Sequence, residues 1–147
     1  MPRGERKDLA MRALIDTNVL IDFIAMREPY FEAARRVIDA CDRGILTGGI
    51  AAHSIPNIYY VLRKEMPDEK RKEILKLLCE ICSVVALDKY KMMNALENKD
   101  FADFEDCLQM YCAVAFHTDY IVTRDTSDFT HSIIPCISPD EFCRRFL

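Results

Sequence analysis

Short apolar runs alternate along this chain with longer stretches in which apolar residues recur every three to four positions. The run from Arg12 to Ile15 predicts a first strand, and a helical pattern follows from Asn18 to about Ala25. After Glu28-Pro29 a longer helix is expected from Tyr30 to Asp42, with Phe31, Ala34, Val37, Ile38 and Cys41 on one face and Gly44 as its stop. Ile45-Leu46-Thr47 predicts a second strand ended by Gly48-Gly49. Ser54 is then expected to cap a helix from Ile55 to Lys64, with Pro56 in its first turn. Met66-Pro67-Asp68 breaks the pattern before an amphipathic helix from Glu69 to Cys82. Ser83 to Leu87 forms a third strand, and Asp88 caps a helix through Glu97. Asp103 opens a helix to His117, with Leu108, Tyr111, Cys112 and Ala115 inward. Asp119 to Thr123 is the fourth strand, Ile133 to Ile137 the fifth, and a last helix follows Pro139. Strands that alternate with helices in this way predict a three-layer α/β/α fold around a parallel sheet of four to five strands.

With 147 residues, half of them apolar, the chain is long enough for one full core and too short for two. Residues 1–10 are polar and basic without periodicity and predict a flexible leader, with Met11 an alternative start. Residues 11–147 form the single domain. No apolar run reaches membrane-spanning length and no signal-peptide core is present, so a cytoplasmic protein without membrane contact is expected. The seven cysteines fall mostly within apolar periodic segments, as reduced, buried thiols do. Cys79 and Cys82 have zinc-like spacing, but no second Cys or His pair accompanies them. The net charge of −4, from 24 acids against 20 bases, excludes nucleic-acid binding by bulk electrostatics. A nucleic-acid enzyme remains open if metal ions neutralise clustered carboxylates.

The first apolar run ends abruptly in Asp16, which places an acid at the carboxyl edge of the sheet, where ligand crevices of such folds open. Asp is also a favoured helix cap, so this position alone does not decide between the two roles. Three further observations add weight. Asp125 stands just past the fourth strand, with Asp128 close behind. Asp103, Glu105 and Asp106 open a helix at the same edge, with Asp103 and Asp106 on one helix face. Asp16, Asp106 and Asp125 brought together would repel unless a cation lay between them. Hard ions such as Mg²⁺ and Mn²⁺ favour such oxygen ligands, and the hydroxyls of Thr17 and Thr123 are candidate supporting contacts. No nucleophilic Ser or Cys has a basic partner in the sequence, and His53, His117 and His131 lie apart.

Four segments, in order, carry a more specific resemblance: Leu14 to Asp22, Tyr59 to Lys64, Asp103 to Gln109 and Tyr120 to Asp125, continued by Ile137 to Phe142. From Arg12 to Leu147 the chain resembles the PIN domain, the fold of many toxin ribonucleases of the VapC type. The resemblance implies four acids around Mg²⁺ or Mn²⁺ that hydrolyse RNA phosphodiesters. Carried over position by position, the catalytic set falls on Asp16, Asn57, Asp106 and Asp125, with Asp128 as the alternative fourth member. Asp16, Asp106 and Asp125 would hold the metal. Thr17, Asp103, Glu105 and Thr123 would support it from outside. Asn57 departs from the family, which has Glu there; Asn57→Glu is expected to restore a fourth charge.

The function so implied is a metal-dependent endoribonuclease acting on single-stranded RNA, the toxin of a toxin–antitoxin pair, with a cognate antitoxin as partner. A homodimer is also expected, because Ile58, Tyr59, Leu62 and Leu77 exceed what one helix face needs. The alternative is a non-catalytic PIN-like module that binds RNA or protein. An aspartyl-nucleophile phosphatase is disfavoured because Asn18 stands where a second acid is needed. A receiver-like module lacks its late Lys.

Overall fold

Strand and helix alternate almost throughout the computed structural model, which describes residues 10–147. The leader expected over residues 1–10 therefore lies, up to residue 9, outside the described residues. The order is β1 (Met11–Ile15), α1 (Thr17–Ile24), α2 (Phe31–Asp42), β2 (Leu46–Ala51), α3 (Ser54–Val61), α4 (Asp68–Ile81), β3 (Ser83–Val85) and α5 (Lys89–Glu97). It continues with α6 (Phe104–Ala115), β4 (Tyr120–Val122), β5 (Cys136–Ile137) and α7 (Pro139–Phe146). The strands form one sheet in the order β3-β2-β1-β4-β5, every pair parallel. Alternating side chains of β1 divide the core into two. Ala13 and Ile15 face a layer built from α1 to α4 and α7, whereas Leu14 faces α5 and α6. The three-layer α/β/α prediction is met with five strands.

The topology also fixes where the edges lie. The chain leaves β1 toward β2 on one side and returns to β4 on the other, so the switch point falls between β1 and β4. Ile15 pairs with Val122, which sets Asp16 beside Thr123 at the carboxyl edge. Because α6 leads into β4, it runs against the strands and its amino end reaches that same edge.

Several expectations are corrected. β2 does not stop at Gly48-Gly49 but runs through both glycines to Ala51. A Cβ at Gly49 would fall 2.6 Å from the Phe116 ring, and one at Gly48 2.6 Å from Cys41 Sγ. The glycines thus mark close approach within a strand rather than its end. Ser54 does not cap α3. It is the first helical residue, fully buried, and its hydroxyl is committed to Thr17 and Gln109. The regular helix ends at Val61, and Leu62–Lys64 tighten into a 3₁₀ turn. β3 and β5 are shorter than expected, since Ala86, Leu87 and residues 133–135 leave the ladder. On α6 the inward residue is Ala113, not the exposed Ala115. Other signals hold. Gly44 adopts φ +74 beyond α2, Asp88 and Asp103 cap α5 and α6, and Pro139 starts α7.

Candidate metal centre

Asp16 occupies the turn from β1 into α1. Its N–H donates to Val122 O at 3.0 Å across the switch point, and its side chain is held at both oxygens. Oδ1 accepts the Thr17 N–H at 2.8 Å, and Oδ2 accepts the Thr123 hydroxyl at 2.8 Å. The helix cap and the edge position are therefore one and the same. Asp16 is only 6% exposed, and among the described residues its hydrogen-bond partners are the Thr17 N–H and the Thr123 hydroxyl rather than a cation. Burial pushes its pKa up to about 6, with the charges of Asp125 and Glu105 adding and its two hydrogen bonds opposing.

Asp106 reaches the edge from the first turn of α6, where its N–H is capped by Asp103 Oδ1 at 2.9 Å. Burial raises its pKa to about 7, followed by the charges of Asp103, Asp16, Asp128 and Glu105. Asp16 and Asp106 thus sit within one field and each resists ionisation. Asp125 lies past β4, where Asn18 Nδ2 donates to Oδ2 at 3.0 Å and its own N–H reaches Thr123 Oγ1 at 3.1 Å. Thr123 accordingly joins Asp16 to the Asp125 loop.

Asn57 faces the same edge from α3, donating to Glu105 Oε1 at 2.9 Å. His53 Nε2 stands 3.8 Å from that oxygen, and burial pushes the imidazole pKa down. Thr17 does not turn its hydroxyl to the acids. It meets Ser54 at 2.8 Å, and Gln109 Nε2 donates to Thr17 at 3.1 Å and Ser54 at 3.0 Å. This buried knot ties α1, α3 and α6 together at the acid edge.

The sequence reading missed Ser54, Gln109, Asn18 and the pair formed by Asp22 and Arg124. Arg124 Nε donates to Asp22 Oδ2 at 2.6 Å, and its guanidinium lies 4.0 Å above the Tyr30 ring. An acid on the apolar face of α1 and an arginine at a strand end were the available signal.

The donor set is all oxygen, as a hard divalent ion requires. No three His, Cys, Asp or Glu side chains among the described residues already stand at ligand spacing. Octahedral Mg²⁺ commonly takes only one or two carboxylates and keeps its waters, so the Asp16 and Asp106 pair fits that pattern.

The PIN domain family model matches residues 12–127, and the chain belongs to that family. The fold is similar to that of Mycobacterium tuberculosis VapC20, a sarcin–ricin loop cleaving toxin. The two share 11% identity over 83% of this chain and 95% of that one, with a TM-score of 0.66. VapBC2 from Rickettsia felis, bound to a DNA fragment from their promoter, shares 14% identity over 87% and 98%, with a TM-score of 0.62. FitAcB from Neisseria gonorrhoeae shares 13% over 86% and 97%, with a TM-score of 0.63. At such identities the likeness is one of fold. No curated protein matches the sequence.

Proposed function

We propose that this chain is a metal-dependent endoribonuclease that hydrolyses single-stranded RNA, and that it is the toxin of a toxin–antitoxin pair. The observation that carries the reading is that Asp16 and Asp106 stand at one edge of the sheet, both pushed toward neutrality chiefly by burial, Asp16 further by the charges of Asp125 and Glu105 and Asp106 by those of Asp103 and Asp16. Such a site is relieved by protonation or, once the carboxyls are ionised, by a cation. Asp16 and Asp106 would bind Mg²⁺ or Mn²⁺, with Asp125 completing the set. A divalent ion held there supplies an activated water and stabilises charge on a phosphoryl oxygen. The chain's own residues provide the positioning. Thr123 and the Thr17 N–H fix the Asp16 carboxylate, Asn18 turns Asp125, and the Asp103 cap fixes the first turn that carries Asp106.

Neighbours such as VapC20, a loop-cleaving toxin, and VapBC2, bound to promoter DNA, support the toxin role and an antitoxin partner. A cytoplasmic site of action accords with the finding that no helix among the described residues is long and apolar enough to cross a membrane. Dimer formation needs a changed argument, because Ile58 and Leu62 are buried in this chain's own core. Of the four residues that suggested it, Leu77 is exposed and Tyr59 half-buried, and Tyr60 and Val61, next to Tyr59 in the chain, are exposed as well.

The test is cleavage of a single-stranded RNA with Mn²⁺ and with EDTA. Cleavage should require the ion and vanish in Asp16→Asn and Asp106→Asn. Equal cleavage in EDTA refutes the mechanism. The alternative, a binding module without catalysis, draws on the neutral Asn57. Mn²⁺ binding in calorimetry without RNA cleavage would select it.

A further inference from the structure

A cavity of about 240 Å³ opens between the start of α2, the loop after β4 and the start of α7. Asp125 lines it, so it is continuous with the candidate metal centre. Tyr30 and Pro139 give it an aromatic and an apolar surface, and Arg124 and Asp140 give it charge. The arginine is held in place. Its Nε and Nη2 donate to the buried Asp22 at 2.6 and 3.3 Å, and its guanidinium lies 4.0 Å from the centre of the Tyr30 ring. The fold thus keeps a planar cation against an aromatic ring that is itself 41% exposed. Among the described residues, Arg124 Nη1, the Tyr30 hydroxyl and the Asp140 carboxylate make no hydrogen bond.

The charges narrow what this cavity takes. The carboxylates of Asp125 and Asp140 oppose an anion, and the guanidinium, already answered by Asp22, has little attraction left for one. The same guanidinium opposes a second cation. A flat, neutral group with polar edges meets neither objection. Bases of single-stranded RNA are such groups, and they stack on aromatic rings and guanidinium planes. We propose that the cavity is a nucleobase subsite, which takes the base of a nucleotide flanking the phosphate at the acid edge. This rests on the ribonuclease reading above and adds a selectivity to it. Cytosine and adenine bring an exocyclic amino group that donates to the Asp140 carboxylate, where uracil brings a carbonyl oxygen.

Fluorescence anisotropy in EDTA, with no strand cut, reads base binding apart from catalysis. The probes are a short oligocytidylate, an oligouridylate and an abasic ribose–phosphate strand of the same length. Wild type should bind oligocytidylate most tightly and the abasic strand least. Tyr30→Leu should weaken oligocytidylate binding about tenfold, the scale of one stacked base, and leave the abasic strand unchanged. Tyr30→Phe keeps the ring and should stay within about twofold of wild type. Asp140→Asn should narrow the preference for cytosine over uracil. Wild type that binds base-bearing and abasic strands alike, or binds none of them, overturns the proposal. So does wild-type affinity in Tyr30→Leu, or an equal loss on the abasic strand, which would make Tyr30 merely structural. An unchanged cytosine preference in Asp140→Asn overturns the selectivity. If bases bind as expected but wild type with Mn²⁺ cleaves no strand, the ribonuclease reading has failed and the subsite stands. If cleavage requires Mn²⁺ but Tyr30→Leu matches wild type in KM, the failure is confined to the subsite.

Discussion

Two buried acids six positions apart, Asp16 in the turn into α1 and Asp22 within it, are treated in opposite ways. Asp22, 1% exposed, is answered by a guanidinium: Arg124 meets it with two nitrogens, at 2.6 and 3.3 Å, and stacks on Tyr30. Asp16, nearly as buried, is answered among the described residues by a hydroxyl and an N–H, and the charges acting on it are those of further acids, Asp125 and Glu105. A buried charge is costly unless paired, so leaving one unpaired is a feature that stability alone does not select. The contrast separates an acid paired within the fold from one that, on the proposed reading, is held for an external cation.

The largest expected effect falls on the paired acid. Arg124→Ala leaves Asp22 buried without its cation and should lower unfolding free energy by about 3 kcal/mol, the scale for breaking a buried pair. Chemical denaturation measures it. A loss no larger than that of an exposed ion pair would mean that Asp22 and Asp16 do not differ in kind.

Asp16→Asn should behave in the opposite way, because the amide keeps an acceptor for the Thr17 N–H while removing the charge. Without metal, its stability should match or exceed that of wild type. The pH dependence sharpens this. A carboxyl whose folded pKa stands above its ordinary value of 3.8 binds its proton more tightly in the folded state, so stability falls as pH rises from the unfolded value to the folded one. The advantage of Asp16→Asn should therefore be absent near pH 4, grow up to about pH 6, and stay constant above it. Asp106→Asn should follow the same course up to about pH 7. Melting curves across this range decide the matter, and a variant that loses stability at neutral pH would return Asp16 to a purely structural cap.

Thr123→Val should have the smallest effect. It removes the hydroxyl that donates to Asp16 and accepts from the Asp125 N–H, at a net cost of about 1 kcal/mol. Its expected signature is a further rise in the Asp16 pKa, followed by carboxyl NMR, since a hydrogen bond to the charged form is lost.

What the sequence made legible follows from how local each signal is. The β1 run ending in Asp16, the Asp88 and Asp103 caps and the Pro139 start are settled by a few neighbouring residues, and each stands where the pattern put it. The errors arose where the deciding contact was distant in sequence. Gly49 reads as a strand end until Phe116 is seen to fill the place of its side chain. Ser54 reads as a cap until Thr17 and Gln109 claim its hydroxyl. Ile58 and Leu62 read as surplus apolar surface because the partners that bury them lie in other elements. At the candidate site, the acids could be named from the sequence because strand ends and helix starts share an edge in a parallel sheet. The link from Asn57 to Glu105 could not, since no local rule pairs α3 with α6.

On the proposed reading, the acids at the β1–β4 switch point stand without a protein cation among the described residues because a divalent ion binds there. The most direct test is the melting temperature of wild type and Asp106→Asn, with and without Mn²⁺, at a pH above 7, where both raised carboxyls have ionised. Binding to the folded state alone raises the midpoint in proportion to the logarithm of ligand concentration over Kd. The account predicts a rise for wild type that grows with Mn²⁺ concentration and shrinks sharply in Asp106→Asn. An equal rise in both proteins, or none in wild type, would contradict it.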